Sequence, residues 1–96
     1  MSRLVRATFS NGAVLKRRSV TKVYTHAYLI KGVYGENAKG WGGSSIELGT
    51  IWGHSGFSTS EEQCRRNMSG ESAWARKQPG TAVTFEEVVA VEVLES

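Results

Sequence analysis

Few residues in this 96-residue chain stand at spacings that do chemistry. Gly53-His54-Ser55-Gly56 has the start of a nucleophile elbow, but that motif needs G-x-S-x-G, and Phe57 occupies the last position. The chain contains no Asp, and no spacing sets a Glu to orient a His, so the stretch reads as a turn of small residues. A metal site would have to draw on Cys64, His26, His54 and the glutamates, and no pair falls at C-x-x-C or H-x-x-x-H spacing. His26 reads instead as a hydrogen-bonded strand residue. Gly35-Glu36-Asn37-Ala38-Lys39-Gly40 has the frame of a phosphate loop, yet Trp41 and Gly42 stand where Lys and Ser/Thr must follow. Gly40-x-Gly42 runs on into Gly43, Ser44 and Ser45, which leaves the dinucleotide fingerprint incomplete. Cys64 falls some five residues into a helix signal, so it reads as a small buried hydrophobe rather than an activated thiolate. No enzyme activity, metal or cofactor is expected.

One constellation survives, and it is basic and aromatic. Lys22, Tyr24, His26 and Tyr28 alternate on one strand face, beside a hairpin carrying Lys16, Arg17 and Arg18. Sheet-borne aromatics flanked by cations stack bases and neutralise phosphates in several nucleic-acid-binding modules. The same two tyrosines and histidine can equally cover a second small core. Lys39 and Trp41 lie among glycines, where a tryptophan suits an anchor for a partner or folds back onto the core. The charge is divided along the chain. Residues 1–40 hold eight basic residues against Glu36 alone, a balance of +7; residues 41–96 hold four against eight glutamates, −4. Either the acidic end neutralises the basic hairpin as a neighbouring strand, or the basic face meets phosphate or an acidic partner.

The elements that must position these residues read as follows. Asn11-Gly12 predicts a tight hairpin between Leu4–Ser10 and Ala13–Arg18. A two-residue loop would set Phe9 opposite Val14. A three-residue loop, with Gly12 as the bulge, would set Phe9 opposite Ala13 and Arg6 opposite Lys16. The second register is favoured because it gathers Val5, Ala7, Phe9, Ala13 and Leu15 on one face. Thr21–Lys31 predicts a central strand with one face on a helix and the tyrosine face aromatic and partly wet. Gly32–Ser45 reads as a loop, Ile46–Trp52 as a short strand, and Ser58-x-x-Glu61 or Thr59-x-x-Glu62 as the cap of a helix. The helix runs from Thr59 toward Met68 with Cys64, Met68 and Trp74 as its apolar stripe. Gly70 either breaks it or is tolerated, and Pro79-Gly80 ends it. Thr81–Glu95 predicts a final strand, with a bulge at Glu86-Glu87. The fold expected is α+β, a single antiparallel β-sheet of about four to five strands with one helix packed on one face, in the order β-β-β-(β)-α-β.

Tyr24-Thr25-His26-Ala27, preceded by Lys16-Arg17-Arg18-Ser19, together with Gly56-Phe57-Ser58-x-Ser60, resembles small accessory proteins of bacteriophages and other mobile elements. The resemblance covers about a third of the chain and carries no catalytic residues. It implies stoichiometric binding, including anti-CRISPR-like inhibition of host defence complexes. The expected partner is thus a host protein or nucleoprotein complex in the bacterial cytoplasm, with direct binding of single-stranded nucleic acid as the alternative. One domain is expected. The length excludes dinucleotide, TIM-barrel and hydrolase folds, which need roughly 150–250 residues. Apolar runs such as Ala27–Ile30 are too short to span a membrane, and no leader is expected at the amino terminus. A single cysteine fits a reducing compartment.

Overall fold

Asn11-Gly12 turns the chain as its residue types dictate. Gly12 adopts φ +90°, the left-handed region a bulge glycine needs, and its N–H donates to the Phe9 carbonyl at 3.0 Å. The Asn11 Oδ1 accepts from the Ala13 N–H at 3.0 Å. Phe9 therefore pairs with Ala13, and Arg6 faces Lys16, the register of the three-residue loop. The computed structural model describes residues 2–35, 47–77 and 80–95. Within them lie β1 (Arg3–Thr8), β2 (Val14–Ser19), β3 (His26–Tyr34), β4 (Ile51–Ser58), α1 (Glu61–Lys77), β5 (Thr81–Ala90) and β6 (Glu92–Glu95).

The fold is α+β, but the strands form two three-stranded antiparallel sheets rather than the single sheet expected. Their orders are β2-β1-β6 and β4-β3-β5. The predicted final strand explains the division. Residues 81–90 pair with β3; then Val91, whose N–H donates to the Thr25 carbonyl at 2.9 Å, passes the chain to β1, where Glu92 faces Arg6. One extended run thus serves both sheets. Its register shift lies opposite Lys31/Gly32, at Thr84, and not at Glu86-Glu87. That shift puts Val83 against the helix and Phe85 against the hairpin, although two residues apart they would otherwise share a face.

Two apolar layers result, one on each face of the β4-β3-β5 sheet. Ala7, Phe9, Ala27 and Leu29, with Phe57, Phe85 and Val89, fill the space between the two sheets. Tyr28, Ile30 and Cys64, with Trp52, Met68, Val83 and Val88, fill the space under α1. The helix therefore covers the tyrosine face of β3, the face expected to be wet, and the hairpin covers the other. Side-chain size accounts for this. Tyr28 stands opposite Gly56, where a Cβ would come within 2.9 Å of its ring. Gly32 stands opposite Trp52, whose indole crosses the place a Cβ would occupy. Two large aromatics thus lie flat across glycines and leave room for a helix above them.

Boundaries differ from the sequence reading for the same reason. Gly32–Tyr34 continue β3, and Gly53-His54-Ser55-Gly56 lies within β4 rather than in a turn, because Gly32 and Gly56 accommodate the rings of Trp52 and Tyr28. The helix starts at Glu61, since Ser60 is its cap: the Ser60 Oγ accepts from the Gln63 N–H at 3.2 Å. Pairs Glu61–Arg65 (2.9 Å) and Glu62–Arg66 (2.8 Å) run along its exposed side. Gly70 is tolerated in open space. The buried stripe is Cys64, Met68, Ser72 and Ala75, while Trp74 is 57% exposed.

Candidate functional site

The basic hairpin is partly neutralised from within. Arg6, Lys16 and Arg18 share the outer face of the β2-β1-β6 sheet, and β6 brings two carboxylates to it. Arg6 pairs with Glu92 at 2.8 Å and Arg18 with Glu95 at 2.9 Å, with a second Arg18 bond to the Ser2 hydroxyl at 2.9 Å. The Arg6–Lys16 opposition that the register forces is thereby relieved by Glu92. Both pairs are solvent-exposed and stabilise little, about 0–1 kcal/mol each. Their effect is on the field: two of the cations are matched by two anions.

Other cations stay outside this pairing. Arg17 points to the opposite side of β2, its guanidinium 5.9 Å from the centroid of the Tyr24 ring. Tyr24 in turn meets Phe57 at 5.8 Å and 53°, so its ring closes the seam between the sheets while remaining half-buried. Lys16, Arg17 and Lys22 are exposed, and among the described residues none of them forms an ion pair. Beside Lys22 lies a hollow of about 240 Å³ lined by Ser2, Arg3, Ser19, Val20, Thr21, Lys22 and Val23, two cations among three hydroxyls and two valines. The Ser19 Oγ accepts the Lys22 N–H at 2.9 Å, which fixes the turn that brings Lys22 there. Ser19 and Thr21 are near Lys22 in sequence, but only the β1–β2 pairing, with Arg3 opposite Ser19, brings Arg3 to them.

The remaining expected residues separate. Tyr28 is not a surface aromatic. It is 6% exposed beneath α1, and burial, then Glu71, then Cys64 push its hydroxyl pKa up. His26 lies at the edge of the helix side, with its Nδ1 2.9 Å from the Thr25 hydroxyl and its Nε2 4.0 Å from the Glu61 carboxylate. It serves strand β3 and the helix start rather than the basic face. Lys39 and Trp41 lie outside the described residues. Cys64 is fully buried, and burial pushes its thiol pKa up despite a hydrogen bond with Ser58, as a packing cysteine requires.

A second region was not anticipated. Between α1 and β4 runs an open groove of about 780 Å³ lined by Tyr28, His54, Arg66, Asn67, Glu71 and Trp74. Aromatic rings follow one another into it from the strands: Tyr34 to Trp52 at 6.5 Å, Trp52 to the lining His54 at 5.8 Å, and His54 to Trp74 edge-on at 6.3 Å. The Trp52 Nε1 is buried without a hydrogen-bond partner among the described residues. Trp52 and His54 alternate with Gly53 and Ser55, a period-2 signal that shows only once the glycines are read as strand. Among the described residues no group of three or more His, Cys, Asp or Glu could hold a metal ion, and no helix is long and apolar enough to cross a membrane. Comparison with protein-family models, with curated proteins and with solved structures gives no match for this chain.

Proposed function

We propose that this chain is a non-enzymatic binding protein of the phage or mobile-element kind. It acts by stoichiometric occlusion of a host nucleic-acid-processing complex, such as a defence effector, in the bacterial cytoplasm. The observation that carries this reading is the gathering of cations left unmatched by the acidic strand. Arg3 and Lys22 flank the hollow of hydroxyls and valines, and Arg17 lies over Tyr24 at the neighbouring edge. Cations that are desolvated little and held by fixed backbone elements suit an acidic protein surface or the phosphates bound to one. Lys16 adds charge on the outer face. Tyr24 supplies the apolar component among the described residues.

The test is capture from a bacterial lysate with tagged protein, with and without nuclease. Occlusion of a protein complex predicts a nuclease-resistant partner, weakened at least tenfold by combined Arg17→Ala and Lys22→Ala. A partner retained equally by that variant would move the contact surface elsewhere. The hollow also favours a second reading, direct binding of single-stranded nucleic acid through phosphates at Arg3 and Lys22. That reading predicts binding to oligonucleotides at low salt with a steep loss as salt rises. No binding to DNA or RNA oligonucleotides at low salt would eliminate it.

A further inference from the structure

Among the described residues strand β4 is an outer strand of the central sheet, and Ile51–Ser58 contains no Asp, Glu, Lys or Arg. The other outer strands among the described residues all carry charge: Lys16, Arg17 and Arg18 on β2, Glu86 and Glu87 on β5, Glu92 and Glu95 on β6. Charged residues on an outer strand guard its unpaired N–H and C=O groups against joining another chain. β4 lacks that guard. Large apolar side chains are exposed near it, although Arg66, Asn67 and Glu71 also line the groove beside it. Leu48 is 67% exposed and Ile51 70% exposed, and Trp74 overhangs the groove beside β4 from the helix.

We propose that β4 is a self-association edge, at which two copies of this chain pair β4 with β4 antiparallel about a two-fold axis. The central sheet then extends to six strands. An uncharged strand can meet its own copy without like-charge opposition, which none of the charged outer strands can do. The antiparallel joint also reverses the second helix. α1 begins with Glu61 and Glu62, paired with Arg65 and Arg66, and ends with Arg76, paired with Glu86, and Lys77, so the reversed helices oppose no like-charged ends. The two grooves merge over the joint, and His54 and Trp74 of each copy meet those of the other across it. Eight strand residues span about 27 Å. Such a strip, with its flanking side chains, reaches the lower range of specific interfaces, about 1,000 Å² in all. The expected association is weak, and the paired edge belongs to the other sheet from the basic hairpin.

Sedimentation equilibrium of the full chain across the micromolar range tests this. The expected result is a mass rising with concentration from 10.5 kDa toward twice that value. Ser55→Lys, at an exposed mid-strand position, brings two like charges together at the axis and should weaken association at least tenfold. Trp74→Ala should weaken it as well, and circular-dichroism melting would show that both variants stay folded. Val14→Lys on β2, half exposed on an outer strand of the other sheet, should leave association unchanged. A monomer at every concentration would overturn the proposal. So would a dimer that Ser55→Lys and Trp74→Ala leave intact, or a Val14→Lys variant that dissociates. Slow amide exchange along β4 in a strictly monomeric sample would show instead that the chain covers this edge itself.

Discussion

Strands β2 and β4 are both outer strands, each at the end of a three-stranded sheet, and they are built by opposite means. β2 carries Lys16, Arg17 and Arg18 in six residues, and its edge is defined by charge. β4 carries no charge in eight residues, and its shape is defined by rings and glycines: Trp52 across Gly32, and Tyr28 across Gly56. The first kind of surface is adjustable, because an exposed ion pair forms or breaks at small cost. The second is fixed, because a buried ring has one place to lie. Charge thus sits on the side that tolerates change, while the apolar edge is tied to the core beneath it.

The largest expected effects fall on the β4 side. Tyr28→Ala removes a buried aromatic under α1 and should cost about 3–5 kcal/mol in denaturant unfolding, whereas Tyr24→Ala, half-buried at the seam, should cost less than half as much. Equal losses would mean that the two tyrosines are equally structural and that the division between surface and core along β3 is wrong. Gly32→Ala comes next. Its Cβ would fall 2.1 Å from the Ala82 carbonyl oxygen and 2.3 Å from the Trp52 ring, a conflict with backbone that cannot be relieved by a rotamer change. A loss at the upper end of about 1–3 kcal/mol or beyond is expected. Gly53→Ala, whose nearest neighbour is the Ile30 carbonyl oxygen at 3.4 Å, should by contrast change the melting temperature little.

Legibility followed the same contrast. The hairpin turn was readable because Asn-Gly encodes its own geometry locally, and its register followed from the side-chain pattern of Val5, Ala7, Phe9, Ala13 and Leu15. The possible cancellation of charge between the basic hairpin and the acidic end was readable too, and Arg6–Glu92 and Arg18–Glu95 realise it. β4 was not readable. Gly53 and Gly56 signal a turn in isolation, and only Tyr28, more than twenty residues away, makes Gly56 a strand residue. The division into two sheets was hidden for a related reason: the run from Thr81 to Glu95 changes partner at Val91 without any change in its own pattern. The surface role expected of Tyr28 failed because alternation along a strand assigns faces but does not say which face the helix takes.

On the β2 side the effects are smaller and electrostatic. Gly12→Ala places a side chain at φ +90°, with open space around it, so strain of about 1 kcal/mol is expected from backbone conformation alone. Combined Glu92→Gln and Glu95→Gln should alter stability by less than that, since both ion pairs are exposed. The same change frees Arg6 and Arg18, so any polyanion that binds the hairpin should bind more tightly, with a salt slope steeper by up to about 2. Unchanged salt dependence would mean that the contact surface lies away from the outer face of the hairpin.

The smallest effect tests how the two sides are joined. The Glu87 carboxylate on β5 accepts the Ser10 N–H at 2.7 Å, tying the tip of the basic hairpin to the central sheet. Hydrogen bonds from the Ser10 hydroxyl and backbone hold the Glu87 pKa below the usual carboxylate value. A carboxylate with a lowered folded-state pKa binds fewer protons folded than unfolded. Its contribution is therefore complete above the unfolded value of about 4.3 and is lost as pH falls through the folded one. Acid should loosen this tie in that window, and amide exchange at Ser10 should quicken relative to exchange at Cys64 in the helix. Glu87→Gln should remove the pH dependence of that ratio and leave the helix side untouched. If the ratio stays flat in the unaltered protein, the turn is held by its own Gly12 geometry and the hairpin responds to pH no more than the β4 side does.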